Sequence, residues 1–390
     1  MYSTRASIRL RIAKRTEALI WRSYATTPYS TPAPYASRIT DRDVHGARLY
    51  CSNLVQKFDS PSYTLQSFIP PSARDTYLSI RALNIELARI PDLVSNPTVG
   101  ALRMQFWRDN VTRTFADTPP KEPVAILLHH ALTSLKSQHP SLSTNIMKGW
   151  FMKIINAREQ YMDNRPYTSM DALETYGENT YSTLMYLTLA SIPLNSMSTD
   201  HVASHIGKAT GIVAILRGLP LLAFPGPPNH HSNSAGLDGD LGGNTNGRHG
   251  AVVLPLDVMT EAGVKEEDVF RHGAEAHGLK DAIFTVATRA NDHLITAREM
   301  LKNLQQGKDA GHDFEHEGEE GHQYAERHGS GHSQAADLER GFGVFMQAVS
   351  TRLWLEKLER LDFDVFKPEL RGREWKLPWK SYLAYSRRTF

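Results

Sequence analysis

The chain has 390 residues, of which 41% are hydrophobic, so it is long enough to bury a large core. Its 44 Lys and Arg residues nearly balance its 42 Asp and Glu residues, which argues against a broad basic field and against nucleic acid as a partner. Cys51 is the only cysteine, so an intramolecular disulfide is excluded, and we interpret this residue as a small core side chain rather than a catalytic thiol.

The N-terminal segment, residues 1–37, has the composition of a targeting sequence. Residues 1–24 contain six Lys or Arg residues and a single acid, Glu17, together with apolar residues that could form one helical face. This acid-poor amphipathic pattern is typical of a mitochondrial transit peptide, and cleavage after Tyr24 would fit a matrix protease. A Pro-, Ser- and Thr-rich leader follows up to Ser37. The alternative is a disordered basic tail.

Residues 38–370 are patterned for helices almost throughout, and we interpret them as a single domain. Apolar residues recur at helical spacing in long segments, among them 169–192, 199–219 and 266–305. The run 252–255 is the only one that could form a strand, and we predict an extended link there. The lack of repeated β-branched alternation argues against an α/β sheet, so the predicted fold class is all-α. No stretch reaches the roughly 18–20 uninterrupted apolar residues of a spanning helix, which predicts a soluble or peripheral protein.

Two segments within this domain differ in composition. Residues 225–250 are dense in Gly, Asn and Pro, and residues 306–337 are dense in Gly, His and Glu with very few large apolar side chains. Such segments bury too little surface to offset the entropy lost on ordering. We predict disordered insertions in loops.

Two of the predicted helices, in residues 79–92 and 207–222, resemble the aspartate-rich helices of the squalene and phytoene synthases. In that family each helix carries a D-x-x-x-D motif, whose carboxylates lie one turn apart and share Mg²⁺ ions that bridge to the substrate diphosphate. The family resemblance implies an all-helical prenyl-synthase-like bundle.

Both motifs have lost their carboxylates in this chain. When the first motif is aligned on Arg81, Asn84 and Ala88 stand at the two aspartate positions. In the second motif the corresponding residues are Gly218 and Leu222. We therefore predict no catalytic residue, no metal site and no cofactor.

Longer strings carry a more specific resemblance. They are RALNIELA at 81–88, GALRMQFW at 100–107, YGENTYS at 176–182 and HIGKATGI at 205–212. They are similar to a divergent mitochondrial branch of the superfamily, the complex I assembly factor 6 family. This resemblance implies a role in building respiratory complex I in the mitochondrial matrix, peripherally associated with the inner membrane. The implied partners are complex I subunits or other assembly factors.

The predicted function is thus that of a non-catalytic, chaperone-like scaffold on a prenyl-synthase fold. Two alternatives stay open: a prenyltransferase with an altered site, and a protein that binds an isoprenoid or another lipid in an altered pocket. Fold does not decide among these functions, because function depends on the site.

The candidates for the vestigial pocket, or for ligand or partner binding, lie on the helices that carry the resemblance. They are Arg81, Asn84, Glu86, Asp92, Arg103, Gln105, Trp107, Tyr176 and Arg217.

For the three arginines of this set, two interpretations stay open. They could pair with an acid such as Glu86 or Asp92, or they could present cations to an anionic lipid or an isoprenoid diphosphate without metal. Trp107 could line the cavity or fill the core. We expect Arg217 to lie near Glu86 in a poorly solvated seam that also includes Arg103, Gln105 and Trp107.

The C-terminal tail, residues 371–390, mixes aromatic and basic residues. This composition suits a membrane headgroup region or a protein surface. The alternative is a tail that packs back on its own domain.

Overall fold

The structure, a computed structural model, describes residues 39–94, 96–139, 145–192, 194, 198–225, 250–308 and 331–390. Every regular element within these ranges is helical, which confirms the all-α prediction. The predicted transit peptide and leader, 1–37, lie outside the described residues. So do residues 226–249 and 309–330, which make up most of both predicted insertions.

The described part of the chain contains fifteen α-helices. In chain order they are α1 (Asp41–Phe58), α2 (Ser60–Leu65), α3 (Arg74–Leu93), α4 (Pro97–Phe115), α5 (Pro123–Gln138), α6 (Asn145–Gln160), α7 (Met170–Gly177), α8 (Thr183–Ala190), α9 (Ser198–Ala223), α10 (Leu256–Glu261), α11 (Glu266–His272), α12 (Leu279–Gln305), α13 (Gly331–Gly341), α14 (Gln347–Arg360) and α15 (Leu377–Arg387). Residues 39–390 form one compact unit by themselves.

Local sequence signals explain where several helices begin. At the start of α1, the Asp43 backbone N–H donates to the Thr40 hydroxyl, and the Thr40 backbone N–H donates to the Asp43 carboxylate, which is a complete capping box. Helix α4 begins with Pro97 after the capping residue Asn96, where the missing proline N–H removes no helical hydrogen bond.

The segment 266–305 differs from the single helix that its spacing predicts. Gly273 (φ 57°) and Gly278 (φ 71°) both adopt left-handed backbone conformations, which end α11 and allow α12 to start in a new direction. A Cβ atom on Gly278 would lie 1.9 Å from the Ala262 carbonyl oxygen, so the turn also needs glycine for close packing.

Helix α9 is the central helix of the bundle and contacts α7, α8, α12 and α14. By length and composition it could cross a membrane, but 56% of its apolar window is buried inside the protein. That burial is what a core helix of a helical bundle shows.

Two C-terminal helices include residues from the segments that composition had indicated as an insertion and a tail. Helix α13 includes residues 331–337 of the second predicted insertion, and Asp337 and Leu338 are buried within it. Helix α15 packs against α2 and α14 through one face, so part of the C-terminal tail belongs to the domain.

Candidate functional site

The site that corresponds to the synthase-like motifs begins with a close helix crossing. A π-helical turn, Glu178–Ser182, joins α7 to α8 and lies directly against α9. A Cβ on Gly207 would lie 2.3 Å from the Ser182 Cα, and a Cβ on Gly211 would lie 2.6 Å from the Gly177 Cα. Only glycine fits at such distances. π-Helical turns of this kind frequently occur at functional sites, and this one lies beside Tyr176 and contains Tyr181.

An arginine from α6 occupies the centre of this region. The Arg158 Nη1 atom donates to the Tyr176 hydroxyl over 2.5 Å, and its Nη2 atom donates to Asn84 Oδ1 over 2.7 Å. The guanidinium carbon also lies 5.5 Å from the ring centroids of both Tyr176 and Tyr181. Side chains from α3, α7 and the π-helical turn thus all contact the cation that α6 supplies.

The charge of Arg158 is not matched by an acid. The residue is half-buried, but its Nε atom is inaccessible to water and makes no hydrogen bond, and within the described ranges no carboxylate lies at ion-pair distance from the guanidinium. Burial by itself lowers the pKa of Arg158, whereas the phenol oxygens of Tyr176 and Tyr181 raise it, and the balance is a raised pKa. The site therefore carries one positive charge at neutral pH.

Three tyrosines form the wall next to this cation. The ring centroids of Tyr161, Tyr167 and Tyr176 lie between 4.5 and 5.4 Å from one another. Burial raises the pKa of each of the three phenols above its ordinary value. They are neutral at physiological pH and supply hydrogen-bonding hydroxyls but no negative charge.

These side chains do not fit a magnesium diphosphate site. The Asn84 amide oxygen already accepts from Arg158, and Ala88, one turn later, is exposed. Around Gly218 there is open space and Leu222 is apolar, so the second motif offers no ligand. Mg²⁺ needs several hard oxygen ligands. Among the described residues, no group of three or more His, Cys, Asp or Glu side chains could hold a metal ion.

The other candidates on α3 do not join this centre. Arg81 is buried, stacks over Tyr77, and has its Nη1 atom 3.8 Å from Asp59 Oδ2. Its acidic neighbour is thus Asp59 rather than Glu86 or Asp92. This geometry favours the pairing interpretation for Arg81.

Glu86 is half-buried and accepts a hydrogen bond of 2.8 Å from the Tyr50 hydroxyl of α1. Asp92, near the end of α3, is exposed. The pair therefore does not converge on one point that could replace a D-x-x-x-D motif.

The expected seam across α4 and α9 also differs from the structure. Arg103, Gln105 and Arg217 are exposed, so the expectation that they occupy a poorly solvated space was wrong. Gln105 donates to Asp109 on the same helix. Trp107 is buried within the hydrophobic core cluster, as the core interpretation predicted.

Arg158 is the residue that sequence analysis missed. A usable signal was present, because Phe151, Ile154 and Ile155 are fully buried on α6 and Arg158 follows them at helical spacing. An arginine on an apolar face needs partners from other helices. Spacing alone does not say which helices supply them.

Helix α7, which carries Tyr176, is tied to α12 by a second polar contact. The Arg289 guanidinium donates to the Glu174 carboxylate, and His293 Nε2 lies 3.4 Å from Glu174 Oε1. Burial opposes ionisation of Glu174, but its interactions with His293 and Arg289 prevail and lower its pKa to about 2. Glu174 is thus ionised at neutral pH and fixes α7 on the bundle.

A surface pocket of about 420 Å³ lies elsewhere, between α1 and α3. Two of its charged groups already pair, since Arg48 makes hydrogen bonds of 2.7 and 2.6 Å to the two Asp75 oxygens. This pocket is separate from the Arg158 centre.

Comparison with known proteins identifies the family of the chain. The squalene/phytoene synthase family model matches residues 55–223 and 240–381. A Mus musculus protein named NADH dehydrogenase (ubiquinone) complex I, assembly factor 6, is 33% identical over 347 residues, which cover 89% of this chain and 84% of that protein. The Homo sapiens protein of the same name is 32% identical over 345 residues, with coverages of 88% and 84%.

Solved structures share the fold. A dehydrosqualene synthase crystallised with a ligand superposes with a TM-score of 0.61 at 13% identity, over 89% of this chain and 98% of that one. At that identity the likeness concerns the fold alone, and it confirms the predicted prenyl-synthase-like bundle. The chain therefore belongs to the squalene/phytoene synthase family and, within it, to the branch of the complex I assembly factor 6 proteins.

Proposed function

We propose that this protein is a non-catalytic assembly factor for mitochondrial respiratory complex I, which uses a prenyl-synthase-like body as a scaffold. The names of its relatives at 32–33% identity support the assembly role. Its direct partners in this proposal are complex I subunits or other assembly factors.

The contact between Arg158 and Asn84 is the observation that best supports a non-catalytic role. Prenyl coupling requires ionisation of an allylic diphosphate, and Mg²⁺ stabilises the departing diphosphate as a Lewis acid. Here a guanidinium binds the one side-chain oxygen that remains at the two aspartate positions of the first motif, and a cation repels Mg²⁺. The second motif, at Gly218 and Leu222, holds no oxygen ligand at all.

The proposed location is the matrix, with peripheral association with the inner membrane. In this proposal residues 1–37 comprise the transit peptide, cleaved after Tyr24, and a leader. Residues 38–370 form the scaffold, and residues 371–390 form a tail that packs on it through one face of α15. The insertions 225–250 and 306–337 contribute little to the body, apart from the residues of the latter that belong to α13.

Deletion of the gene tests the proposal when complex I and quinone are measured separately. We expect loss of assembled complex I with normal quinone content, and rescue by the wild-type chain. A primary loss of quinone or of another isoprenoid, with complex I falling only afterwards, would contradict an assembly role.

Two assays on purified protein address the alternatives. Incubation with farnesyl or geranylgeranyl diphosphate and Mg²⁺ or Mn²⁺ is expected to leave the substrate unconsumed, whereas turnover would favour the prenyltransferase. Mass spectrometry of the organic extract reports on the second alternative, because a stoichiometric isoprenoid would favour the lipid-binding protein.

A further inference from the structure

The C-terminal helix α15 and the turn just before it expose a row of large aromatic and aliphatic side chains. The exposed fractions are 74% for Trp375, 69% for Trp379, 59% for Tyr382 and 44% for Leu383. Tryptophan side chains are seldom left this accessible on a surface that has no partner.

The exposed row is not required to attach the helix. Leu377, Ser381 and Ala384 are buried and hold α15 against α2 and α14. Trp379, Tyr382 and Leu383 follow the i, i+3, i+4 spacing on the opposite side. The helix therefore has large or apolar side chains on both sides: one face packs on the domain, and the other presents apolar side chains to the outside.

Cations outnumber acids around this row. Residues 371–390 contain six Lys or Arg residues and one acid, Glu374. Of the six, Arg388 bonds to Glu339, while Arg371, Arg373, Lys380 and Arg387 are exposed. No Asp or Glu follows Glu374 in the sequence, so the charged side chains that α15 itself exposes, Lys380 and Arg387, are both cationic.

We propose that this face, defined as Trp375, Trp379, Tyr382 and Leu383 with the flanking Lys376 and Lys380, docks on the surface of an anionic lipid bilayer. Trp and Tyr rings are favoured at headgroup depth because they combine an apolar body with a polar edge. Lys side chains reach anionic headgroups while their methylenes stay against apolar surface. The exposed cations beside the rings are complementary in charge to an extended anionic surface. The inference rests on the proposed location beside the inner membrane and names the surface that makes the contact.

Vesicle binding of residues 39–390 tests the proposal without any contribution from the basic N-terminal segment. These residues form their own compact unit. Vesicles of phosphatidylcholine mixed with phosphatidylglycerol are compared with vesicles of phosphatidylcholine alone, by co-sedimentation and by tryptophan fluorescence. The fluorescence is informative because Trp375 and Trp379 are exposed, whereas Trp107, Trp150 and Trp354 are at most 8% exposed.

Two tail variants and one control are compared with the wild-type protein. The first variant combines Trp375→Ser with Trp379→Ser, and the second combines Lys376→Glu with Lys380→Glu. The control combines Leu102→Ser with Phe106→Ser on α4, where the side chains are 65% and 50% exposed. The two Trp, Lys380 and both control residues are exposed and Lys376 is half-buried, so the helical circular dichroism and melting temperature are expected to stay unchanged.

We expect the wild-type protein and the control to bind the anionic vesicles with a blue shift of tryptophan emission. Each tail variant is expected to bind about tenfold more weakly. Binding to phosphatidylcholine alone is expected to be weak.

Three outcomes would overturn the proposal: no binding of the wild-type protein, full binding by both tail variants, or loss of binding in the α4 control instead. Loss of complex I in cells with a tail variant that binds vesicles normally would show that the face docks a protein, which would also overturn it. None of these results bears on whether gene deletion removes complex I, so failure here is distinguishable from failure of the assembly role.

Discussion

The Arg158 guanidinium donates to Asn84 Oδ1 over 2.7 Å, and the two residues are 74 positions apart in the chain. The contact joins the end of α6 to the middle of α3, at the position that resembles the first aspartate of the synthase motif. Where the synthase motif would bind metal cations, this chain places a cationic side chain, that of Arg158. The first two predictions below follow from this exchange.

Replacement of Asn84 by leucine is expected to destabilise the protein. Asn84→Leu keeps the number and branching of the side-chain heavy atoms but removes the acceptor of Arg158 Nη2, which leaves a charged, half-buried guanidinium short of a hydrogen-bond acceptor. We expect the free energy of unfolding in urea to fall by about 2–3 kcal/mol. Arg217→Glu, on the exposed face of α9, serves as control and is expected to change it by less than about 0.5 kcal/mol. Equal effects of the two variants would mean that the Arg158 contact contributes nothing.

The wild-type protein is expected to bind no metal–diphosphate complex. Calorimetry with inorganic diphosphate, in the presence and absence of Mg²⁺, measures this directly. Asn84→Asp combined with Ala88→Asp restores two carboxylates, but the new carboxylate at position 84 would pair with Arg158 and the second motif would still lack ligands. The double variant is therefore expected to show no metal-dependent binding either. Tight metal-coupled binding by the wild-type chain would refute the proposed loss of the site.

Glu174 makes a contribution to stability that depends on pH. Its pKa is about 2 in the folded protein and 4.5 ordinarily, so the ionised form is stabilised by folding. The sign follows: the contribution is complete above pH 4.5 and is lost as the pH falls towards 2. Glu174→Gln is expected to lower the free energy of unfolding by about 1–2 kcal/mol at pH 7, after allowance for solvent screening.

The difference between wild type and Glu174→Gln should shrink when urea unfolding is repeated between pH 5 and pH 2. Glu267→Gln breaks an exposed pair with Arg271 and serves as control. It is expected to have almost no effect at any pH. A Glu174→Gln difference that stays constant down to pH 2 would contradict the lowered pKa.

Glycine at the crossing of α9 with the π-helical turn is expected to be irreplaceable. Gly207→Ala places a Cβ 2.3 Å from the Ser182 Cα, so the two helices must separate. We expect a loss of about 3 kcal/mol in the free energy of unfolding.

Gly218→Ala, on the same helix, is the matched control. A Cβ at position 218 meets nothing within 4 Å, so alanine should stabilise the helix by about 0.5–1 kcal/mol. Thermal unfolding of the two variants measures the contrast. If both alanines proved stabilising, the close approach at Gly207 would be wrong.

Removal of residues 226–249 is expected to preserve folding and complex I assembly. The flanking chain is already close, because the Ala251 backbone N–H donates to the Leu222 carbonyl over 3.0 Å, so a short Gly-Ser link can replace the segment. A deletion of 306–337 is expected to lower the melting temperature instead, because it removes the first part of α13 with the fully buried Asp337. Rescue of a null strain by each deletion, together with thermal unfolding, tests both expectations.

The sequence by itself was sufficient for the all-α fold and for family membership. Apolar residues at helical spacing identify the face that each helix must bury, and strings such as that at 176–182 differ little enough from the family to be recognised. The absence of acids at Asn84, Ala88, Gly218 and Leu222 is likewise visible without coordinates. These properties are local, since each depends on residues within a few turns of one another.

Only the tertiary structure decided which polar groups meet. The partners of Arg158 come from α3 and α7, and the partner of Glu174 comes from α12, and helical spacing does not specify which helices become neighbours. The same holds for exposure, because Arg103 and Arg217 lie on helices patterned for burial yet face outward. The C-terminal tail packs through one side and exposes its Trp row on the other, since the burial of a side chain depends on what the rest of the chain places against it.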